Sequence, residues 1–532
     1  MAIGEIGAVQ QPDQGRKTMP LWLKYGVIAL IGLGIFFRFY QLDRKVYWID
    51  ETNSSLRSLG YTKTELIDTL FTGEPVTAAD LRQFQQLDPE RGWGDTWTAL
   101  TGTAEHTPLY FLLARAWVGV VGHSVATMRA LTALFSLLVF PALYWLCREL
   151  FDPVVKPDVA HRIGWVAMGL FAIMPMHVLY AQEARPYSLL SVLILVSSAL
   201  LLRAVRVQTG WSWLFYGLSV VAGLYTQLLF SLVVLAHGLY LLLTRQLSRA
   251  YLLAAGLGSL TLVPWLLLLL KQWEKVSHST RSLRDSSSWG YIFDRWCLNL
   301  NLAFLSQELG AANLLLVAAL LLALYLFCRR LPRRTWLFVL LLIGVPFVVL
   351  AVPDLLWGGR RSLRIRYLFP SLFGFQLVLA YGFATWQVWS KPLQRYFWQG
   401  LMLILVIGGL VAAGTSADAV VPWTKSVPRS GYYPPVAEIV NQGKNPLVIS
   451  DGPVTDVLAF SAWLRPDVTL QLPLDRKFRL ARQHEPIYLL NASEQLQEIL
   501  SRRGYGLSVA YVDRSDSKKA NNRLWLAQRK PQ

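Results

Sequence analysis

Long apolar blocks constrain the fold of this chain more than any other feature of its sequence. Blocks such as residues 252–270 and 311–327 contain no charged residue. A helix of about 20 apolar residues crosses the roughly 30 Å hydrocarbon core of a bilayer, so such blocks predict a polytopic α-helical membrane protein. We expect about eleven spans, at residues 21–40, 126–147, 163–180, 187–204, 211–224, 228–243, 250–270, 308–328, 335–352, 367–388 and 397–414.

Basic residues separate these blocks and predict the orientation of the chain. The formal net charge is +18, but the Lys and Arg residues occur in short loops and form no single basic face, which argues against a nucleic-acid partner. Cytoplasmic loops of membrane proteins are enriched in Lys and Arg. The loops that contain Arg148, Arg203, Arg245, Arg329 and Lys391 are therefore predicted to be cytoplasmic, together with the tail 1–20. We expect a multi-pass protein of a bacterial plasma (inner) membrane.

This orientation divides the chain into a transmembrane domain, 21–414, and a small extracytoplasmic α/β domain, 415–532. It requires that residues 108–121, which carry Arg115 in their middle, do not cross the membrane. We expect them to form an interfacial or re-entrant helix within a first outer loop, 41–124. In the C-terminal part, short β-rich runs at 447–450, 468–472, 487–490, 507–512 and 524–527 alternate with helical patterns at 435–441, 456–464 and 494–502.

Two adjacent carboxylates, Asp50 and Glu51, follow the first predicted span on the outer side. A carboxylate in such a place can take a proton from an acceptor hydroxyl. The alternative interpretation is structural, because Asp50 could cap a helix that starts at Glu51.

Two further polar motifs lie on the same predicted side. Glu105 and His106 precede Pro108. They are either a functional pair or part of an ordinary helix start, with His106 or Thr107 as the cap and Pro108 in the first turn. Glu183 and Arg185 lie in a short turn before Tyr187. Charges so close to a bilayer usually have a partner or a function, although this pair could neutralise itself.

A group of arginines lies on the outer side, where the positive-inside bias disfavours them. The group comprises Arg360, Arg361, Arg364 and Arg366, followed by Tyr367. Arginine binds phosphate well because its planar fork offers paired donors. The alternative is that these residues only anchor the helix at the interface. A weaker group in another outer loop contains His278, and a solvated loop is its default interpretation.

The order of these motifs resembles the GT-C superfamily of membrane glycosyltransferases. The motifs are Asp-Glu at 50–51, Glu-His-Thr-Pro-Leu-Tyr at 105–110, Gln-Glu-Ala-Arg-Pro-Tyr at 182–187 and Arg-Tyr-Leu-Phe-Pro at 366–370. The branch that contains the protein O-mannosyltransferases and the lipid A aminoarabinose transferase is the most similar one. The resemblance extends over roughly residues 21–414.

The resemblance implies transfer of a sugar from a polyprenyl-phosphate donor to an acceptor hydroxyl, with inversion at the sugar. It implies Asp50 as the catalytic base with Glu51 beside it, and Glu183 as the nearest equivalent of a second outer-loop carboxylate. The resemblance places Arg366 and Tyr367 opposite the donor phosphate. Together with the other outer motifs, the residues expected to bind the donor phosphate or substrate are Glu105, His106, Arg185, Tyr187, His278, Arg360, Arg364, Arg366 and Tyr367. Lipid, glycan and protein acceptors all remain open.

The sequence specifies no cofactor. A divalent metal is possible, because Asp50, Glu105, Glu183 and His278 could approach one another. A transporter or flippase of lipid-linked sugars is the competing function, since it would use the same arginines without breaking a bond. Such transporters usually have repeated halves and charged residues at mid-membrane, whereas the polar residues here collect at one side.

Overall fold

The structure is a computed structural model that describes residues 20–389, 391–474, 478–481, 483–515 and 521–530. Most of the predicted tail 1–20 therefore lies outside the described residues. The chain begins with an apolar helix, and an outer segment of short elements follows it. Helices α1 to α6 are Leu21–Phe39, Ile49–Leu59, Lys63–Leu70, Ala78–Gln83, Trp93–Thr101 and Leu109–Val121, and strand β1 is Thr72–Thr77.

Long helices make up the middle of the chain. Helices α7 to α14 are Val125–Phe151, Pro157–Ile173, Pro175–Ala181, Tyr187–Val207, Gly210–Thr226, Ser231–Leu243, Arg249–Leu260 and Val263–Lys271. Helices α15 to α20 are Trp273–Ser279, Trp289–Leu305, Asn313–Arg330, Arg333–Trp357, Phe369–Thr385 and Pro392–Asp418. Short 3-10 turns join several of them, at Leu228–Phe230, Arg281–Leu283, Gly310–Ala312, Ile365–Leu368, Trp386–Val388 and Trp423–Lys425.

All eleven predicted spans are helical. Within the described residues, eight helices are long and apolar enough to cross a membrane, and the bent pair α8–α9 makes a ninth. The other two predicted spans are α11 and α12, which have 17 and 13 residues and are shorter than that. They separate at Gln227, where the backbone is extended, as the prediction of a bend near residues 225–227 required.

The predicted span 163–180 is not one straight helix. It breaks at Met174 and turns by 63° into α9. The reason is Pro175, which has no N–H to continue the helical hydrogen bonds. The buried Arg38 guanidinium of α1 donates to the carbonyls of Phe171 and Ala172 at the end of α8, at 2.9 and 2.7 Å. These bonds satisfy carbonyl groups that the break leaves free.

The C-terminal segment forms most of an α/β unit. Helices α21 to α24 are Val427–Ser430, Tyr433–Asn441, Val454–Ser461 and Glu494–Arg502, and strands β2 to β6 are Leu447–Ile449, Thr469–Pro473, Ile487–Leu490, Tyr505–Asp513 and Asn521–Arg529. All five predicted strands and three predicted helices are present. The sheet order is β1-β3-β2-β4-β6-β5. Its edge strand β1 comes from the outer segment and pairs antiparallel with β3, with Pro75 opposite Gln471.

The outer segments meet at one end of the helical bundle. The Val46 N–H, just after α1, donates to the Val420 carbonyl just after α20 at 2.8 Å. Helix α6 packs on α2 and is too short to count among the spans, in line with its predicted interfacial position. At the opposite end, Arg203 and Arg206 pair with Glu149 from the predicted cytoplasmic loops. The predicted sides of the chain are thus physically separate.

Candidate active site

Helix α2 carries Asp50 and Glu51 in its first turn. The helix begins at Ile49 and no side chain caps it, so Asp50 is not the N-cap that the alternative interpretation proposed. Carboxylates in a first turn interact favourably with the helix dipole. Neighbouring residues of a helix point about 100° apart, and these two side chains face different surroundings. Asp50 is 27% exposed, whereas Glu51 is fully buried.

Two guanidinium groups hold the Asp50 carboxylate. Arg185 Nη1 lies 2.8 Å and Arg366 Nη1 3.3 Å from its Oδ2 atom. Burial raises the pKa of Asp50, but the two guanidinium groups outweigh this effect and lower the pKa to about 2. Asp50 is therefore ionised at any neutral pH. The predicted self-neutralising pair of Glu183 and Arg185 does not form, because Arg185 turns to Asp50 instead.

Aromatic rings orient both arginines. The Arg185 guanidinium lies 4.9 Å from the ring centroid of Tyr187 and 5.6 Å from that of Trp48. The Arg366 guanidinium lies 5.6 Å from the ring centroid of Tyr367. Arginine over an aromatic face is a favourable arrangement that also limits rotation of the side chain. Tyr187 and Tyr367 thus lie at the site as predicted, and each contacts a guanidinium group.

Positive charge exceeds negative charge around Asp50. Among the described residues, three other carboxylates act on these arginines: Glu105 on Arg57, Glu183 on Arg185 and Asp456 on Arg429. Besides Arg185 and Arg366, the guanidinium groups acting here are those of Arg57, Arg364 and Arg429. Burial lowers the pKa of Arg57 to about 10, so it stays protonated at neutral pH. The surplus of guanidinium groups favours an anion as ligand.

His106 lies beside this cluster at the start of α6. Neither His106 nor Thr107 caps the helix, which begins at Leu109 without a side-chain cap. Burial and then the charges of Arg57 and Arg185 hold the pKa of His106 well below its usual 6.5. Its imidazole is therefore neutral at physiological pH, and it can serve as a hydrogen-bonding group but not as a phosphate-binding cation.

Glu51 belongs to a buried charge centre, which we define as Glu51, Arg129, Glu183 and Lys425. Arg129 donates two bonds of 2.8 Å to the Glu51 carboxylate. Lys425 Nζ lies 2.7 Å from Glu51 Oε2 and 3.5 Å from Glu183 Oε1. The Ala184 N–H donates to Glu51 Oε1 at 2.9 Å. All four charged side chains are buried from solvent.

The pKa values of the two glutamates move apart. Burial raises the pKa of Glu51, but Arg129 and Lys425 outweigh it, and the net change lowers the value. Burial and the nearby Glu51 raise the pKa of Glu183, against the opposing effect of Lys425. Neither carboxylate reaches solvent, which argues against direct contact of Glu51 or Glu183 with an acceptor hydroxyl.

The remaining predicted residues differ in position. Arg361 is not a free cation, because it pairs with the buried Asp354 at 2.9 Å. The Arg360 guanidinium lies 3.8 Å from the carboxylate of Asp285, in the loop before α16. His278 is exposed on α15, and no contact within the described residues joins it to Asp50. Arg364 is half-buried and pairs with no described carboxylate, which leaves its guanidinium available to a ligand.

The predicted metal ligands do not fit a divalent metal. Asp50 is held by two arginines, Glu183 faces Lys425, and His278 lies elsewhere. Across the ranges that the structure describes, no group of three or more His, Cys, Asp or Glu side chains could hold a metal ion. We therefore derive no chemical step through a metal.

Sequence reasoning missed four charged residues of this region. Arg57 lies seven residues after Asp50, a spacing that places both on one face of a helix, and this signal was available. Arg129 sits inside an apolar block, which is itself a sign of a partner or a function. Lys425 and Arg429 come from the segment after α20, and no motif marks them.

Comparison with known proteins completes the description. Neither a family model nor a curated protein sequence matches the chain. ArnT from Cupriavidus metallidurans bound to undecaprenyl phosphate is 14% identical, with a TM-score of 0.53 over 94% of this chain and 97% of that chain. Its apo state is also 14% identical, with a TM-score of 0.48 over 95% of this chain and 98% of that chain. A third structure is the oligosaccharyltransferase AglB from Archaeoglobus fulgidus in complex with an inhibitory peptide and a dolichol-phosphate. It is 11% identical, with a TM-score of 0.47 over 94% of this chain and 74% of that chain. The first of these likenesses shows that the chain has the fold of ArnT over nearly its whole length.

Proposed function

We propose that this chain is a membrane glycosyltransferase that moves a sugar from a polyprenyl-phosphate donor to an acceptor hydroxyl on the non-cytoplasmic side. The observation that carries the proposal is the Asp50 carboxylate between Arg185 and Arg366, in a partly exposed site rich in guanidinium groups. A base and a phosphate-binding group are the two functions that such a transfer needs. The undecaprenyl phosphate bound to ArnT, which shares this fold, supports the same donor class.

The arginines act on the leaving group. As the bond between the anomeric carbon and the phosphate oxygen breaks, its electron pair passes to that oxygen. The phosphate charge then rises from −1 in the diester toward −2 in the free monoester. Arg185, Arg366 and the unpaired Arg364 interact more strongly with the product charge, so they stabilise the transition state more than the ground state.

Asp50 acts on the acceptor. A carboxylate with a pKa of about 2 is a weak base while both arginines hold it. A donor phosphate that takes these guanidinium groups frees the carboxylate, and its burial then raises the pKa. Asp50 removes the proton of the acceptor hydroxyl while the acceptor oxygen attacks the anomeric carbon from the side opposite the phosphate. The configuration at that carbon is inverted.

We place the chain in a bacterial plasma membrane with its N-terminus in the cytoplasm and the α/β unit outside. The sugar belongs to the hexosyl or pentosyl class in this proposal. The acceptor is a lipid, a glycan or a protein.

The test is a transfer assay with purified protein in detergent. Radiolabelled polyprenyl-phosphate sugars and envelope extracts are supplied, and released polyprenyl phosphate is measured. We expect Asp50→Asn to reduce release by about 10² to 10⁴ because the base is lost. Asp68→Asn is the matched control, since Asp68 is exposed on α3 of the same outer segment, and its release should equal that of wild type.

Wild-type release by the Asp50→Asn protein, with its fold verified by gel filtration, would refute the assignment of Asp50. Donor binding without any release by wild type, across the whole panel, would favour the transporter of lipid-linked sugars instead.

A further inference from the structure

The buried charge centre lies directly behind the site and shares its two backbone segments. Glu51 follows Asp50 in the chain, and Glu183 precedes Arg185 by two residues. Each segment thus contributes one residue to the exposed ion pair and one to the buried centre. The Ala184 N–H bond to Glu51 Oε1, at 2.9 Å, joins the two segments directly. The separation of Glu51 and Glu183 consequently controls the separation of Asp50 and Arg185.

Two buried carboxylates repel each other unless a cation lies between them. Arg129 is bound to Glu51 and to backbone carbonyls, those of Leu42, Lys45 and Val46. Glu183 makes its one ion pair within the described residues with Lys425, and neither of its carboxylate oxygens has a hydrogen-bond partner there. Lys425 Nζ is therefore the cation that the two carboxylates share.

Carboxylates from separate segments that converge on one cation are the usual environment of a bound Mg²⁺ or Ca²⁺. Here the cation is an ammonium group that belongs to the chain. Lys425 is carried by the 3-10 turn Trp423–Lys425, which leads from α20 into the α/β unit. That turn therefore contacts both of the segments that carry Asp50 and Arg185.

We propose that Lys425 is a positioning residue that takes the place of a divalent metal between Glu51 and Glu183 and thereby fixes Asp50 against Arg185. This inference rests on the proposed transfer reaction for its effect on rate. Two consequences follow. The geometry of the site does not depend on a divalent metal, and it does depend on the segment that enters the α/β unit.

The first experiment compares wild type, Lys425→Met and the double variant Lys425→Met/Glu183→Gln. Loss of the ammonium leaves one buried carboxylate without a counter-charge, and displacement of the site by about 1 Å can cost about 10² in rate. We expect Lys425→Met to reduce kcat by about 10² or more and to lower the melting temperature. The double variant removes the excess negative charge and should recover part of both quantities.

Lys45→Met is the matched control. Lys45 is also buried, but its Nζ donates to the Ala417 carbonyl at 3.4 Å and forms no ion pair with a described carboxylate. Its loss should leave kcat unchanged. A Lys425→Met protein with wild-type kcat and melting temperature would overturn the proposal.

The second experiment adds EDTA to wild type. We expect no change in turnover or melting temperature, whereas a loss that Mg²⁺ or Mn²⁺ restores would show that a metal positions the site. The melting temperatures keep this inference separate from the proposed function. If wild type transfers no sugar from any donor, the proposed function fails, while equal melting temperatures of wild type and Lys425→Met would separately refute the role of Lys425.

Discussion

Replacing Arg185 by Gln tests whether the proposed base is controlled by its arginines. The pKa of Asp50 falls from its usual 3.8 to about 2 in the protein. At 1.36 kcal/mol for each pKa unit, this corresponds to a net stabilisation of the carboxylate of about 2.5 kcal/mol. After burial, which raises the pKa, Arg185 is the largest single influence and Arg366 the next. Loss of Arg185 should therefore raise the pKa of Asp50 towards its usual value.

Two kinetic changes follow for Arg185→Gln. At pH 7, kcat/KM should fall by about 10² to 10³, because one group that stabilises the leaving phosphate is gone. The acid limb of the profile should also move upward, since kcat/KM reports the pKa values of the free enzyme. Wild type needs the ionised carboxylate, whose pKa is about 2, so it should show no acid limb from Asp50 above about pH 4. The variant should lose activity below about pH 4 to 5.

The assay measures initial rates of polyprenyl-phosphate release between about pH 3.5 and 8, in short incubations that precede acid unfolding. Arg281→Gln is the control, because Arg281 is an exposed arginine of an outer loop, and it should reproduce the wild-type profile. A reduced rate with an unshifted acid limb in Arg185→Gln would show that Asp50 is not the titrating base.

Three further predictions concern other contacts. Arg364→Gln should lower kcat by about 10² to 10³ and raise KM for the donor less, because Arg364 pairs with no described carboxylate and is free to bind the phosphate as its charge rises; steady-state kinetics at varied donor concentration measure this. Folding raises the pKa of Glu183, so the native protein binds this proton more tightly than the unfolded chain does. The protein should therefore lose stability as the pH rises from about 4.5 through the raised pKa. Glu183→Gln should reduce this pH dependence of the melting temperature, which thermal melts between about pH 5 and 8 measure. Arg38→Met should lower the melting temperature, since the carbonyls of Phe171 and Ala172 lose buried donors worth about 1–3 kcal/mol each.

The spans were predictable because apolar length is a strong local signal, and the strands of the C-terminal segment because they are short β-rich runs between turns. The helix break at Pro175 was harder to predict, because the apolar block continues through it. The free carbonyls at the break are satisfied by Arg38, which comes from another helix. Strand β1 was not predicted, because Gly73 and Pro75 are both unfavourable in strands and its pairing partner lies far along the chain.

In the candidate site, too, local features were predictable from the sequence and long-range contacts were not. Sequence order predicted that Asp50, Arg185 and Arg366 lie on one side of the membrane, but it could not assign the pairs that they form. The partner of Glu183 is an example. An adjacent arginine was the obvious candidate, whereas the observed cation, Lys425, is more than 200 residues away in the chain. Long-range pairing of this kind depends on packing, and short motifs do not encode it.

The pairing of strand β1 with β3 sets a time order for biosynthesis. Pro75 and its partner Gln471 are almost 400 residues apart, and every long helix of the bundle except α1 lies between them. At a translation rate of about 5 to 20 residues per second, the edge of β1 waits about 20 to 80 s for its partner. During this interval the outer segment has an open strand edge, to which a chaperone or a neighbouring nascent chain can bind. Closure of the sheet marks the point at which the outer segment, the last helix and the translocated C-terminal region have all been delivered to the same side.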